Sequence, residues 1–130
     1  MAAKNKHLAG IDRIATERRR QIEKKGWTPE HDDLHVDGAL AFAAVCYAAP
    51  VPLFESHRYS WGFGFCDPWP GSWSAACDKR YRCGERHENP RNVPPNPETY
   101  TSEERLDLLV KAGALIAAEI DRLLRQEKRP

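Results

Sequence analysis

From His7 to Lys25 the apolar residues Leu8, Ile11, Ile14, Ala15 and Ile22 recur at helical spacing, and Gly26 follows where such a helix would stop. The pattern predicts a first helix. Thr28 is placed to cap a short second helical turn, because Pro29 at its first position lacks only an N–H that a helix start leaves unused. That turn runs from Glu30 to His35. The stretch Asp37 to Ala49 is apolar on nearly every side, with Asp37 as its cap and Pro50 and Pro52 as its end, which predicts a helix buried in the middle of a bundle. Thr101, with Glu104 three residues on, reads as a capping box ahead of a last helix from Leu106 to Arg125. Its apolar stripe is Leu109, Ala112, Ile116, Ile120 and Leu123.

Between these helices the periodicity is lost. Eight of the ten prolines and three of the four tryptophans fall between Pro50 and Tyr100, so regular structure there is expected to be sparse. The segment is too aromatic for a disordered linker. Trp61, Phe63, Phe65, Trp69 and Trp73 are separated by Gly and Pro and cannot line one face of a helix; they are expected to fold back over the bundle as a lid. One of them stacking on a nucleobase is the alternative. The fold class expected is therefore all-α: a single helical domain over residues 1–130, with an irregular insert at about 51–100.

A chain of 130 residues has room for one core. Twenty Lys and Arg against nineteen Asp and Glu leave no global field to attract a polyanion, so nucleic acid is not an expected partner. The start, MAAKNKHLAG, has no apolar signal region, and the longest apolar run, Ala39 to Ala49, is about half a membrane span. A cytoplasmic protein with no membrane partner is expected. In that compartment the four cysteines read as thiols or metal ligands rather than disulfides. Cys46 lies in the apolar run and belongs to the core. Cys66, Cys77, Cys83 and His87 have the spacing C-x10-C-x5-C-x3-H, whose last two gaps match CCCH zinc fingers; they are either a structural zinc site or ordinary side chains.

Some polar residues interrupt the apolar pattern. On a helical projection Arg18 falls near the centre of the first stripe, with Gln21 on its flank and Glu17 facing away, while Glu119 falls beside Ala112 and Ile116 on the last helix. A buried guanidinium requires an anion. Arg18 and Glu119 are thus either a salt bridge between two packed helices or ligand groups, the arginine gripping a phosphate and the carboxylate a divalent cation. Six of the eight residues from Glu30 to Asp37 carry metal-binding groups, and His31 and His35 are four apart. Such donors suit Mg²⁺, Mn²⁺ or Zn²⁺, or else make a solvated turn that caps the next helix.

Three segments together carry a resemblance. The pattern Ile14-Ala15-x-Glu17-Arg18-x-Arg20-Gln21-Ile22, then Gly26-Trp27-Thr28-Pro29-Glu30-His31-Asp32-Asp33-x-His35, then Leu109 to Ile116 with Ala118-Glu119-Ile120, resembles small proteins of phages and prophages. These are in turn distantly similar to the MazG-like all-α nucleoside-triphosphate pyrophosphohydrolases, which hold Mg²⁺ on helix-borne carboxylates. The resemblance implies a nucleotide or other phosphate-bearing small molecule as partner, Mg²⁺ or Mn²⁺ as cofactor, and the host cytoplasm as location. Carried onto this chain, the metal would fall to His31, Asp33, His35 and Glu119. Asp33, Glu119 and His35 would be catalytic, and Arg18, Gln21, Lys111 and Trp27 would hold the ligand. Ala39 and Ala43 stand where those enzymes often carry acidic side chains, which favours a second reading: a protein that binds a nucleotide without cleaving it. A third is an interaction module stabilised by zinc. A bundle with so few long helices is also expected to pair with itself.

Overall fold

The computed structural model describes residues 8–53, 55–60, 62–73, 78–80 and 95–128. Four α-helices form the frame: α1 Ala9–Lys25, α2 Pro29–Asp32, α3 Ala39–Ala48 and α4 Ser102–Glu127. The local chemistry at their ends is that expected. Gly26 stops α1 in the left-handed region at φ 70°, which lets the Trp27 N–H turn back to the Gln21 carbonyl at 3.0 Å. The Thr28 hydroxyl accepts from the His31 N–H, and Thr101 and Glu104 form a complete capping box. Asp37 caps α3 from one position further out than predicted, accepting the Ala39 N–H at 3.1 Å, because Gly38 occupies the cap itself at φ 83°.

α3 and α4 share the largest interface. The Arg105 guanidinium donates to the carbonyls of Tyr47, Ala48 and Ala49, so α3 ends where α4 begins and the two helices run antiparallel. Leu40, Ala43, Ala44 and Tyr47 of α3 meet Leu108, Ala112, Leu115 and Ala118 of α4 in one core. Cys46 is buried with them, as expected; burial pushes its thiol up to about 12. α1 packs on the side of α4, where Gly113 leaves space for Ile14.

Two expectations about helix faces are corrected. Of the predicted stripe on α4 only Ala112 is buried; Leu109, Ile116, Ile120 and Leu123 are 42–51% exposed. The helix carries two apolar faces, and the one with smaller side chains lies against the alanine-rich α3, since small residues let two helices approach closely. Nor is α3 covered all round, because Phe42 and Val45 stand about half exposed.

The described part of the insert contains one antiparallel hairpin, β1 Glu55–Tyr59 with β2 Gly62–Cys66, paired from Glu55 opposite Cys66 to Tyr59 opposite Gly62. Beyond it the described segments are irregular apart from a 3-10 turn at Pro97–Thr99. Trp69 and Trp73 pack against the helical core, as a lid should. A buried Arg80 fastens this lid: its guanidinium pairs with Asp78 at 2.8 Å and Asp67 at 2.7 Å and lies 5.3 Å from the Trp69 ring centre. The Arg80 carbonyl accepts the Tyr100 hydroxyl, and the Tyr47 hydroxyl accepts the Lys79 N–H. No helix of the described chain is long and apolar enough to cross a membrane.

Candidate ligand site

The chain reverses at Gly26, and this places Trp27 and α2 across the end of α1. Arg18 reaches over from α1, donating to the Trp27 carbonyl at 3.3 Å and to Asp32 Oδ2 at 2.6 Å. Asp32 is only 1% exposed. The pair predicted between Arg18 and Glu119 does not form, and this is a correction with a simple cause: the anion that the buried guanidinium requires comes from α2, which lies nearer. Glu119 is held instead by Arg122 one turn along its own helix, at 2.7 Å. Asp32 Oδ1, Arg18 Nε and Glu119 Oε2 are buried without a hydrogen-bond partner among the described residues.

Around Asp32 four rings close on one another. Trp27 stacks on His31 with ring centres 6.5 Å apart, His31 meets His35 edge-on at 4.9 Å, His35 meets Trp73 at 5.3 Å, and Trp73 returns to Trp27 at 6.0 Å. They line a cavity of about 210 Å³ together with Asp32 and Leu40. Burial, and after it the neighbouring His31, holds His35 below its usual imidazole range. Both effects favour the neutral ring. Among the described residues the buried Trp73 indole N–H has no hydrogen-bond partner, and Asp32 Oδ1 has only His31 Nδ1 near it, at 3.9 Å.

On the other side of Trp27 a second cavity of about 290 Å³ is lined by Arg20, Lys25, Lys79 and Lys111, with Gln21, Tyr47 and the single carboxylate of Glu17. Glu17 was expected to face away from the bundle but is 8% exposed. Its neighbours account for that. Burial alone would raise its pKa, yet hydrogen bonds from Arg20 and the charge of Lys111 outweigh burial and hold the carboxyl below its ordinary value. Lys111 is paired in turn with Asp107 at 3.0 Å, so the four cations of the lining are set against two carboxylates and the balance stays positive.

Several of the residues singled out from sequence therefore come together. Gln21, Lys111 and Trp27 line the basic cavity, His31 and His35 line the aromatic one, and Arg18 lies behind both as the support of Asp32. Asp33 turns the other way, to Arg125 of α4 at 2.9 Å. Among the described residues no three His, Cys, Asp or Glu side chains are grouped to hold a metal ion. The four donors named for Mg²⁺ or Mn²⁺ thus do not form a preassembled set. Cys66 is exposed at the end of β2, while Cys77, Cys83 and His87, the remainder of the zinc expectation, lie outside the described residues, as does Trp61. In the sequence Asp32 is only one of the six donors of its turn and Trp73 one of five insert aromatics that could stack on a base, while Lys25 and Lys79 carry no signal of their own. Asp32 could have been reached from Arg18, whose burial demands an acid, but Trp73 and Lys79 arrive from the insert and no periodicity connects them to α1. Comparison with protein-family models, with curated proteins and with solved structures gives no match to this chain.

Proposed function

We propose that the protein binds a nucleotide, its base in the aromatic cavity and its phosphates in the basic one. The observation that supports this reading most is that the two cavities share one wall, Trp27. Indole faces stack on bases with little regard to sequence, and a lining of four cations, of which Arg20 is paired with Glu17 and Lys111 with Asp107, keeps a positive balance that favours a phosphate chain. The aromatic cavity, at about 210 Å³, is larger than the roughly 150 Å³ that accommodates a benzene ring in a protein core. Among the described residues Asp32 Oδ1 has no hydrogen-bond donor and Trp73 Nε1 no acceptor, and a base edge presenting an amino group beside a ring nitrogen or carbonyl offers one of each.

Titration with ATP, AMP and adenosine, followed by tryptophan fluorescence, tests the reading. Quenching is expected, with ATP bound more tightly than adenosine. Trp27→Ala should weaken all three by about 1–3 kcal/mol, or roughly 5- to 150-fold. Lys25→Ala with Lys79→Ala should weaken ATP and leave adenosine unchanged. If millimolar nucleotide alters neither fluorescence nor melting temperature, the protein is not a nucleotide binder.

Hydrolysis of the bound nucleotide is the second reading. It is favoured by Glu119 Oε2, a buried carboxylate oxygen without a hydrogen-bond donor among the described residues. Incubating the same nucleotides with Mn²⁺ and separating the products decides between a binder and an enzyme: release of pyrophosphate that Glu119→Gln abolishes establishes the second.

A further inference from the structure

Two polar groups of the aromatic cavity are fixed in what they can offer a ligand. Asp32 gives Oδ2 to Arg18 at 2.6 Å, which leaves Oδ1 as its open acceptor, and Trp73 brings an indole N–H. Among the described residues both atoms are buried without a hydrogen-bond partner, and His31 Nδ1, at 3.9 Å, is too far to donate to the carboxylate. Neither can change its role. An ionised carboxylate only accepts and an indole only donates, whereas the other polar rings of the cavity, His31 and His35, exchange donor for acceptor by moving a proton between their nitrogens. Asp32 is also held in place from behind, because the Arg18 guanidinium that grips it donates to the Trp27 carbonyl as well.

We propose that Asp32 and Trp73 select the base, taking adenine or cytosine and rejecting their oxo counterparts. The inference rests on the reading of this cavity as a base site. Adenine and cytosine carry an amino group beside an unprotonated ring nitrogen, so one edge offers a donor to Asp32 Oδ1 and an acceptor to Trp73 Nε1. Hypoxanthine and uracil have the two exchanged. In the same pose they set a carbonyl against the carboxylate and a ring N–H against the indole N–H, and guanine does so too at its carbonyl. Turning the base over would exchange the positions, but Trp27 and the basic cavity behind it fix the side on which sugar and phosphates leave. A carbonyl facing a buried carboxylate leaves both acceptors unpaired, which is why a site that pairs a donor of its ligand rejects an isostere lacking that donor far better than an apolar pocket can. Arg18 is then a positioning residue, since it orients the selecting carboxylate without lining the cavity itself.

Titration calorimetry of the full chain with ATP, inosine triphosphate, CTP and UTP reads the outcome, because each pair differs only in the exchange of amino for oxo. ATP is expected to bind roughly 10- to 100-fold more tightly than inosine triphosphate, and CTP more tightly than UTP by a similar factor. Asp32→Asn should invert both preferences: its amide oxygen goes to Arg18 and its NH₂ takes the place of Oδ1, a donor where the wild type has an acceptor. If that variant does not fold, Trp73→Phe decides, since it keeps a ring in the cavity without the N–H and should narrow the ratio of ATP to inosine triphosphate. Equal binding of the amino and oxo nucleotides, or a folded Asp32→Asn that keeps the wild-type preference, overturns the selection by Asp32 and leaves the nucleotide reading standing. Binding of none of the four overturns both.

Discussion

Asp32 holds a carboxylate at 1% exposure and spends one oxygen on Arg18, so each charge depends on the other for its place in the fold. Replacing Asp32 by Asn, or Arg18 by Leu, should each cost about 3–5 kcal/mol, because either change strands a buried charge. Removing both should cost far less than the sum. Urea unfolding of the two single variants and the double variant measures the coupling; effects that add to within about 0.5 kcal/mol would mean that the pair contributes nothing as a pair. Arg18 was recognised as a buried cation from its place in a stripe, and its need for an anion was correct. A salt bridge to Glu119 is one of the two roles that projection onto apolar faces allows it, whereas the contact is decided by which carboxylate the turn after Gly26 carries inward.

Helix α4 shows how much an element's ends and its faces differ in legibility. Its capping box is a matter of four consecutive residues and was readable as such, but its two apolar faces are equivalent to a projection, which cannot tell which of them α3 will cover. Gly113 sits between the faces. An ideal Cβ there would lie 2.5 Å from Ile14 Cδ1 and 2.7 Å from Cγ1, so Gly113→Ala forces Ile14 or α1 to move. Overpacking of this kind costs about 1–3 kcal/mol, while alanine regains about 1 kcal/mol of helix propensity. A net loss of stability is expected. On an Ile14→Ala background the same change should become neutral or stabilising, and thermal melts of the four proteins read the difference.

At the scale of the molecule the insert and the acidic turn are joined at His35, whose ring meets Trp73. The His35 pKa lies below 6.5, lowered by burial first and His31 second, against the opposing pull of Asp32, Asp37 and Glu119. The sign follows from linkage. As pH falls through 6.5 the unfolded chain takes up the proton before the folded one, so stability falls until the folded His35 protonates as well. Between pH 7 and pH 5 the wild type should therefore lose more stability than His35→Gln in urea titrations; equal losses would remove His35 from the account. By itself the sequence determined what depends on neighbours along the chain: four helical segments, their caps, the break at Gly26 and an insert without helical period. Stop signals, capping boxes and apolar spacing act over a few residues, so they can be read without a fold. Only the tertiary structure decided the contacts between distant parts of the chain: Asp32 under Arg18, Lys79 and Trp73 brought from the insert to flank Trp27, and the choice of the inner face of α4. Each is a competition among several chemically adequate partners, and it is settled by which of them the packed helices bring within a few ångströms.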